Sequence, residues 1–167
     1  MTGNTPLHHA PETSTTPPPA VAAWLDGTDL DSKVGTAVGV VTTDADGWPH
    51  PAQLSAGEIL LSQEGALRFA VHPQSSLADN LRRDGRVVLM LAADGANNEM
   101  RFEVTESTPL TDPPLATFSG RLVIVRAHRV PYAEVVDGVR YTLQDPEGTL
   151  ERWRRQIDAL RNIDSIV

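Results

Sequence analysis

The sequence predicts a mainly β fold, an antiparallel barrel or sandwich of about seven strands with one helix embedded among them. Three observations carry that expectation. Short runs rich in Val, Ile, Leu and Phe recur between Gly-bearing turns. Most of those turns are too short for the crossovers that parallel strands require. A helical period stands out clearly only at the end of the chain, where Leu150, Trp153, Ile157 and Leu160 repeat at spacings of three and four.

Bulk composition sets the limits. The chain has 167 residues, 40% of them hydrophobic and 5% aromatic, so one domain with a core of Val, Leu, Ile and Ala is expected. A formal net charge of −8 argues against a broad basic surface for nucleic acid. There is no cysteine, which excludes disulfides, thiolate catalysis and Cys-ligated zinc. The first twenty residues have neither a positive flank nor an apolar stretch of signal-peptide type. No apolar run approaches the length of a membrane span. A soluble cytoplasmic protein that binds neither membrane nor nucleic acid is the expectation.

The elements follow in order. Residues 1–17 are rich in Pro, Thr and Ser and read as a disordered tail, with His8 and His9 solvated within it. The domain proper is placed at 18–167. PPPAVAAWLDG predicts a short helix entered through proline and stopped at Gly27, with Val21, Trp24 and Leu25 on one face. VGTAVGVVTT, the turn DADG and WPHPAQLSA predict a hairpin whose second strand carries Pro49 and Pro51, and so lies at an edge or starts with a bulge. EILLS, QEG and ALRFAV predict a second hairpin. RVVLMLAA, EMRFEVTEST and GRLVIVRAH predict three more strands, and YAEVV and VRYTL about Asp137-Gly138 predict a further pair. The stretch 110–120 is compatible with a lid or a long connection. Asp145 and Pro146 open the final amphipathic helix, placed at 146–163, with Arg152, Arg154, Arg155 and Arg161 on its solvated side.

The common enzyme signatures, GxSxG, the P-loop and GxGxxG, are absent. His50, His72 and His128 stand alone in sequence, and no two carboxylates are placed opposite each other, so no catalytic residue is named. The segment PQSSLADNLRRDGRVVLML, residues 73–91, holds the chemistry that can be read. Ser75 or Ser76 caps a short helix, Asp79 stands three after Ser76, Leu77 and Leu81 share a face, and Asp84-Gly85 ends the helix. That account is complete without a ligand. The same geometry leaves N–H groups and the positive dipole end beside the serines, where a phosphate can sit.

In sequence order, a strand ALRFAV, a serine-bearing turn, a helix with an Asn-Leu pair and an Arg-Val strand start resemble the FMN-binding split-barrel family, the pyridoxamine 5'-phosphate oxidase-like proteins. The turn Asp46-Gly47-Trp48-Pro49 is similar to the D-G-x-P turn of that family's first hairpin. The resemblance covers roughly residues 20–106 and is weaker beyond. It implies a six- to seven-stranded antiparallel Greek-key split barrel with short helices and a C-terminal helix. It also implies a homodimer with the cofactor in a cleft at the subunit interface, and a flavin-dependent oxidoreductase acting on a small molecule. FMN is the cofactor implied, with deazaflavin or haem as alternatives. Ser75, Ser76 and Asn80 fall on the phosphate side, with Arg68, Arg82, Arg83 or His72 as a stand-in for a cation, and Gln53, Leu54 and Ser55 along the ring. The sequence departs from the family where Arg and Lys are usual: Ser76 and Leu77 take those places, and Val71 replaces a frequent threonine. The other reading is a non-catalytic dimer of the same fold, with an empty cleft or another ligand.

Overall fold

The computed structural model describes residues 10–163. The chain enters through a short strand β1 (Glu12–Ser14) and helix α1 (Pro19–Leu25). Strands β2 (Val38–Thr43) and β3 (Pro49–Leu54) form a hairpin. A 3₁₀ turn at Ala56–Glu58 leads into β4 (Ile59–Leu61), which pairs with β5 (Ala66–Val71). Helix α2 (Ser76–Asp84) separates β5 from β6 (Arg86–Ala93). Then come β7 (Ala96–Glu106), the two-residue β8 (Leu110–Thr111), β9 (Pro114–His128) and helix α3 (Pro146–Arg161).

These strands make one antiparallel sheet in the order β3-β2-β6-β7-β9-β5-β4, with β1 and β8 added along β9. The sheet curls into a half-barrel, as the split-barrel expectation requires. Alternation decides which side is inside. Val38 and Val40, Val87, Leu89 and Leu91, and Met100, Phe102 and Val104 are buried on the concave face. Phe69 and Phe118 are register partners at its centre, with ring centroids 5.6 Å apart.

A second, smaller core lies under α3. Asp145 accepts the Gly148 N–H at 3.1 Å and Pro146 needs no donor partner, so the helix starts where its sequence says. Trp153, Ile157 and Leu160 are buried with Ala56 and Ala70. Trp153 packs directly against Gly57, where an added Cβ would stand 1.9 Å from the indole Cγ. At the other end, the Arg68 guanidinium donates to the carbonyls of Leu160 (3.2 Å) and Arg161 (3.3 Å), complementing the negative end of the helix. Lys33 is buried but fully used, donating to the carbonyls of Ala23 and Thr28 and to Asp26.

Several expectations need correction. Residues 1–9, with His8 and His9, lie outside the described residues. Residues 10–17 do not form a free tail: Glu12, Thr13 and Ser14 pair with Ala127, Arg126 and Val125 of β9. Backbone hydrogen bonds to an open strand edge need no apolar side chains, so composition could not foresee this. The pair of strands about Asp137-Gly138 does not form. Val136 is 91% exposed, so a strand here would have no core to face. The backbone bonds elsewhere, through Ala37 N–H to Val139 O, Tyr141 N–H to Gly35 O and Val135 N–H to Gly95 O. The stretch 110–120 is a hairpin, Leu110 pairing with Leu115, that opens directly into β9. Helix α3 ends at Arg161, short of residue 163. Strand β3 is an edge strand, as its prolines required.

The Gly57–Trp153 contact gives a direct test. Gly57→Ala forces the indole off its seat, and overpacking of this kind costs about 1–3 kcal/mol. A urea midpoint lowered with an unchanged slope is the expected result.

Candidate functional site

The residues singled out from the sequence fall into two groups. The first is the turn from β5 into α2. The His72 carbonyl accepts both the Ser75 N–H (3.1 Å) and the Ser75 hydroxyl (2.7 Å), and His72 Nδ1 accepts the Gln74 N–H at 3.2 Å. Ser75 is the N-cap: its Oγ accepts the Ala78 N–H at 3.1 Å and its carbonyl accepts the Asp79 N–H at 3.1 Å. The Ser75 hydroxyl is therefore engaged as donor and as acceptor within the turn. Ser76 is exposed, and among the described residues no acceptor takes the N–H of Ser76 or Leu77. Two N–H groups and the Ser76 hydroxyl are left at the positive end of a nine-residue helix.

Asn80 is placed differently. It is 4% exposed, donates through Nδ2 to Thr42 Oγ1 at 3.0 Å and accepts Arg83 Nη1 at 3.2 Å. Its amide ties α2 to β2 and is spent there. Arg82 grips Glu106 with two bonds, Nε to Oε2 at 3.0 Å and Nη2 to Oε1 at 2.7 Å, and donates through Nη1 to Pro73 O at 2.8 Å. It thus braces the turn from below. Arg83 donates to Thr43 O and Asn80. Both arginines are bonded to protein acceptors, Arg82 to Pro73 and Asp79 at the turn and to Glu106 beyond it, Arg83 to Asn80 and Thr43. The helix closes at Gly85, whose φ of +70° and N–H to Leu81 O bond (2.8 Å) form a left-handed C-cap.

The second group lies at the end of β3. Gln53 is exposed opposite Gly39, whereas Leu54 is buried opposite Val38, so only the backbone of Leu54 is available to a ligand. The Ser55 N–H donates to Glu58 Oε2 at 2.6 Å across the 3₁₀ turn. Burial pushes the Glu58 carboxyl above its ordinary value, against the Ser55 N–H bond and the charge of Arg152. Ile59 pairs with Phe69, which sends the chain before Ile59 alongside the chain after Phe69, and Ala56 packs with Ala70. The corner at residues 53–55 therefore stands on the side of the sheet where β5 runs out into His72.

Sequence reasoning did not find the Arg82–Glu106 brace, because the partners are 24 residues apart and meet only through the fold. Nor did it find the Asn80–Thr42 bond, since a polar residue on an apolar helix face gives no sign of its partner. Among the described residues, no group of three or more His, Cys, Asp or Glu side chains gathers as metal ligands. A phosphate would find N–H donors, a hydroxyl and a helix dipole here, which suits its oxygens.

This curled antiparallel sheet, with its serine-capped helix between β5 and β6, has the split-barrel fold. A candidate pyridoxamine 5'-phosphate oxidase from Lactobacillus delbrueckii superposes with a TM-score of 0.51 at 15% identity, over 70% of this chain and 98% of that one. A structure described as an F420 reductase gives a TM-score of 0.48 at 15% identity, over 65% of this chain and 97% of that one. No family model matches the chain. The chain belongs to the family of the uncharacterised protein YclD of Bacillus subtilis, with which it shares 33% identity over 139 residues, covering 82% of this chain and 90% of YclD. Among the described residues, no helix is long and apolar enough to cross a membrane.

Two outcomes follow from the bonding around α2. Asn80→Ala leaves the Thr42 hydroxyl buried without its donor and lowers stability by about 1–3 kcal/mol, measurable by urea unfolding. The hydrogen bond from Arg82 holds the Glu106 carboxyl below its ordinary value. The pair therefore stabilises the fold above the ordinary carboxylate range, and that contribution is lost as pH falls through the lowered value. Glu106→Gln is expected to lower the melting temperature at pH 7 and to match the parent near pH 2, as read by circular dichroism.

Proposed function

We propose that this protein binds a flavin nucleotide and works as a flavin-dependent oxidoreductase, as a homodimer in the cytoplasm with the cleft between subunits. FMN is the cofactor this reading favours. The observation that carries it is the pair of free N–H groups at Ser76 and Leu77, beside the Ser76 hydroxyl and at the start of a helix set into a split-barrel sheet. Ser76 and the two N–H groups hold the phosphate. Ser75 keeps the turn in shape, His72 stands at its mouth, and Asn80 fixes the helix on the sheet. Gln53 and Ser55, with the Leu54 backbone, line the ring. The bound flavin supplies hydride transfer, while the protein orients it and limits access of water. Exposed Tyr132 and Val136, at 74% and 91%, offer apolar surface that a second copy would cover.

A second reading is a non-catalytic split-barrel dimer whose cleft is empty or takes deazaflavin or haem. The bonding of Arg82 and Arg83 to other partners favours it, because a phosphate dianion at the start of α2 would be balanced by dipoles and hydrogen bonds without a cation. Each charge-assisted bond contributes about 1.5–3 kcal/mol, so the missing cations matter.

Thermal unfolding with and without excess FMN separates the readings. FMN binding is expected to raise the melting temperature, and Ser76→Asp, which sets a carboxylate against the phosphate, to abolish most of the rise. A colourless protein with no shift in excess FMN overturns the flavin reading. Light scattering coupled to gel filtration checks the homodimer.

A further inference from the structure

A cavity of about 950 Å³ lies apart from the α2 turn, near the upper end of the roughly 300–1,000 Å³ of small-molecule sites. One wall is α1, which turns Pro19, Ala22, Ala23 and Asp26 toward it at helical spacing. The other is the β4–β5 hairpin. Alternation along β5 sends Leu67 and Phe69 into the core, so Ala66 and Arg68 stand on the outer side with Leu60, the register partner of Arg68. Arg161, in the last turn of α3, reaches the cavity where α1 ends: an added Cβ on Gly27 would lie 3.1 Å from both its Nη2 and Leu60 Cδ1. Strand β5 starts at Ala66 and runs out into His72, roughly 20 Å away at the rise of a strand, so the cavity and the α2 turn stand at its opposite ends.

Two guanidinium groups line the end where α1 meets α3. Arg68 Nη1 donates to the carbonyls of Leu160 (3.2 Å) and Arg161 (3.3 Å), and Arg161 Nη2 to those of Asp26 (3.4 Å) and Gly27 (3.2 Å). Carbonyl oxygens fix a guanidinium without cancelling its full charge. The carboxylates nearby are already engaged. Asp26 Oδ1 takes the Thr28 N–H (2.8 Å) and hydroxyl (2.7 Å) and lies 3.4 Å from the Nζ of buried Lys33. Asp158 meets Arg161 Nη1 at 3.0 Å in an exposed pair, which contributes little. Glu64 lies beyond Ala66 in the hairpin turn, exposed and bonded by the Ser62 hydroxyl. Lys33, Arg68 and Arg161 thus outnumber Asp26 and Asp158 at this end, on a chain whose net charge is −8. Among the described residues, no acceptor takes the Nε of Arg161.

We propose that this groove binds a small carboxylic acid with an apolar tail. The carboxylate is taken by Arg161 Nε beside Arg68, and the tail lies between Ala22 and Ala23 of α1 and Leu60 and Ala66 of the hairpin. An open N–H edge on a fixed, charged guanidinium suits an oxyanion. Walls of Ala, Pro and Leu suit methylene groups, whose removal from water is favourable. The site does not depend on flavin binding. An uncharged apolar molecule and a second copy of the chain are the competing occupants; the surplus of positive charge favours the carboxylate over both, because two such surfaces would repel.

Hexanoate and 1-hexanol, which share a tail and differ in charge, are titrated separately into the uniformly ¹⁵N-labelled full chain at constant pH and ionic strength. Saturable amide shifts are expected with hexanoate at Ala22, Ala23, Ala66 and Arg161, and 1-hexanol is expected to bind about tenfold more weakly, for want of one charge-assisted bond. Arg161→Gln is expected to bring hexanoate down to the level of 1-hexanol and to leave 1-hexanol unchanged. Ala23→Phe, at an exposed position, fills the groove and removes the binding of both. Arg155→Gln, on the exposed side of α3, changes neither. The spectra of the variants report their folding directly, and the ratio between the two probes on the parent chain needs no variant. The proposal fails if the shifts do not saturate, if hexanoate and 1-hexanol bind alike, if folded Arg161→Gln or Ala23→Phe binds hexanoate like the parent, or if the same amides move on dilution alone because a second copy fills the groove. Colour and FMN-induced stabilisation report on the flavin reading separately, so either idea can fall without the other.

Discussion

Gly120 is the point on which the sheet turns. An added Cβ there would stand 1.9 Å from the Glu103 carbonyl oxygen and 2.7 Å from Val104 Cα, so no side chain fits. The close approach lets β9 keep its ladder to β7 from Phe118 to His128 while its first half pairs with β5 and its second half with β1. One fifteen-residue strand thereby joins both halves of the half-barrel. Its inward residues, Ala116, Phe118 and Val125, bring the two halves onto a common core. Without that crossing, β5 and β4 would have no sheet to belong to, and neither would the helix that β5 leads into.

The α2 turn inherits its position from this arrangement. Strand β5 is fixed by β9, α2 leaves it through His72, and Gly85 returns the chain to β6, its carbonyl accepting the Val104 N–H at 2.7 Å. Val104 is also the residue that Gly120 lies against. Both ends of the helix are thus referred to the same stretch of β7 and β9. Arg82 adds a third tie, from the last turn of α2 to Glu106 at the end of β7. A site built at such a turn is rigid because each boundary is bonded to the sheet, and rigidity is what a helix-start anion site needs to favour bound over free ligand.

Much of this was legible in the sequence where a local signal carried it. The serine cap, the Asp84-Gly85 stop, the hairpin turns and the stripe on α3 each depend on residues a few positions apart. Their order pointed to an antiparallel barrel or sandwich, and the resemblance to the split-barrel family narrowed that to a split barrel. The site was legible only in part. Ser75 and Ser76 mark the turn, but which hydroxyl is already engaged depends on His72 O and Ala78 N–H. Asn80 reads as polar and near the serines, yet its amide is drawn inward by Thr42, 38 residues earlier. The segment 129–144 misled because valines about an Asp-Gly turn normally form strands; here the neighbouring loops supply the backbone partners first.

Pro49 and Pro51 sit on the rim strand β3, yet the ladder from β2 to β3 is unbroken from Thr43 to Leu54. Both imino nitrogens must therefore occupy positions whose donors would have pointed outward, away from β2. The free rim offers a foreign strand almost no hydrogen to grasp. Continuous growth of one sheet into another, the route to fibrils, is closed along that border. Association along that rim has to be made by side chains meeting side chains, which can be tuned residue by residue in a way that a backbone zipper cannot.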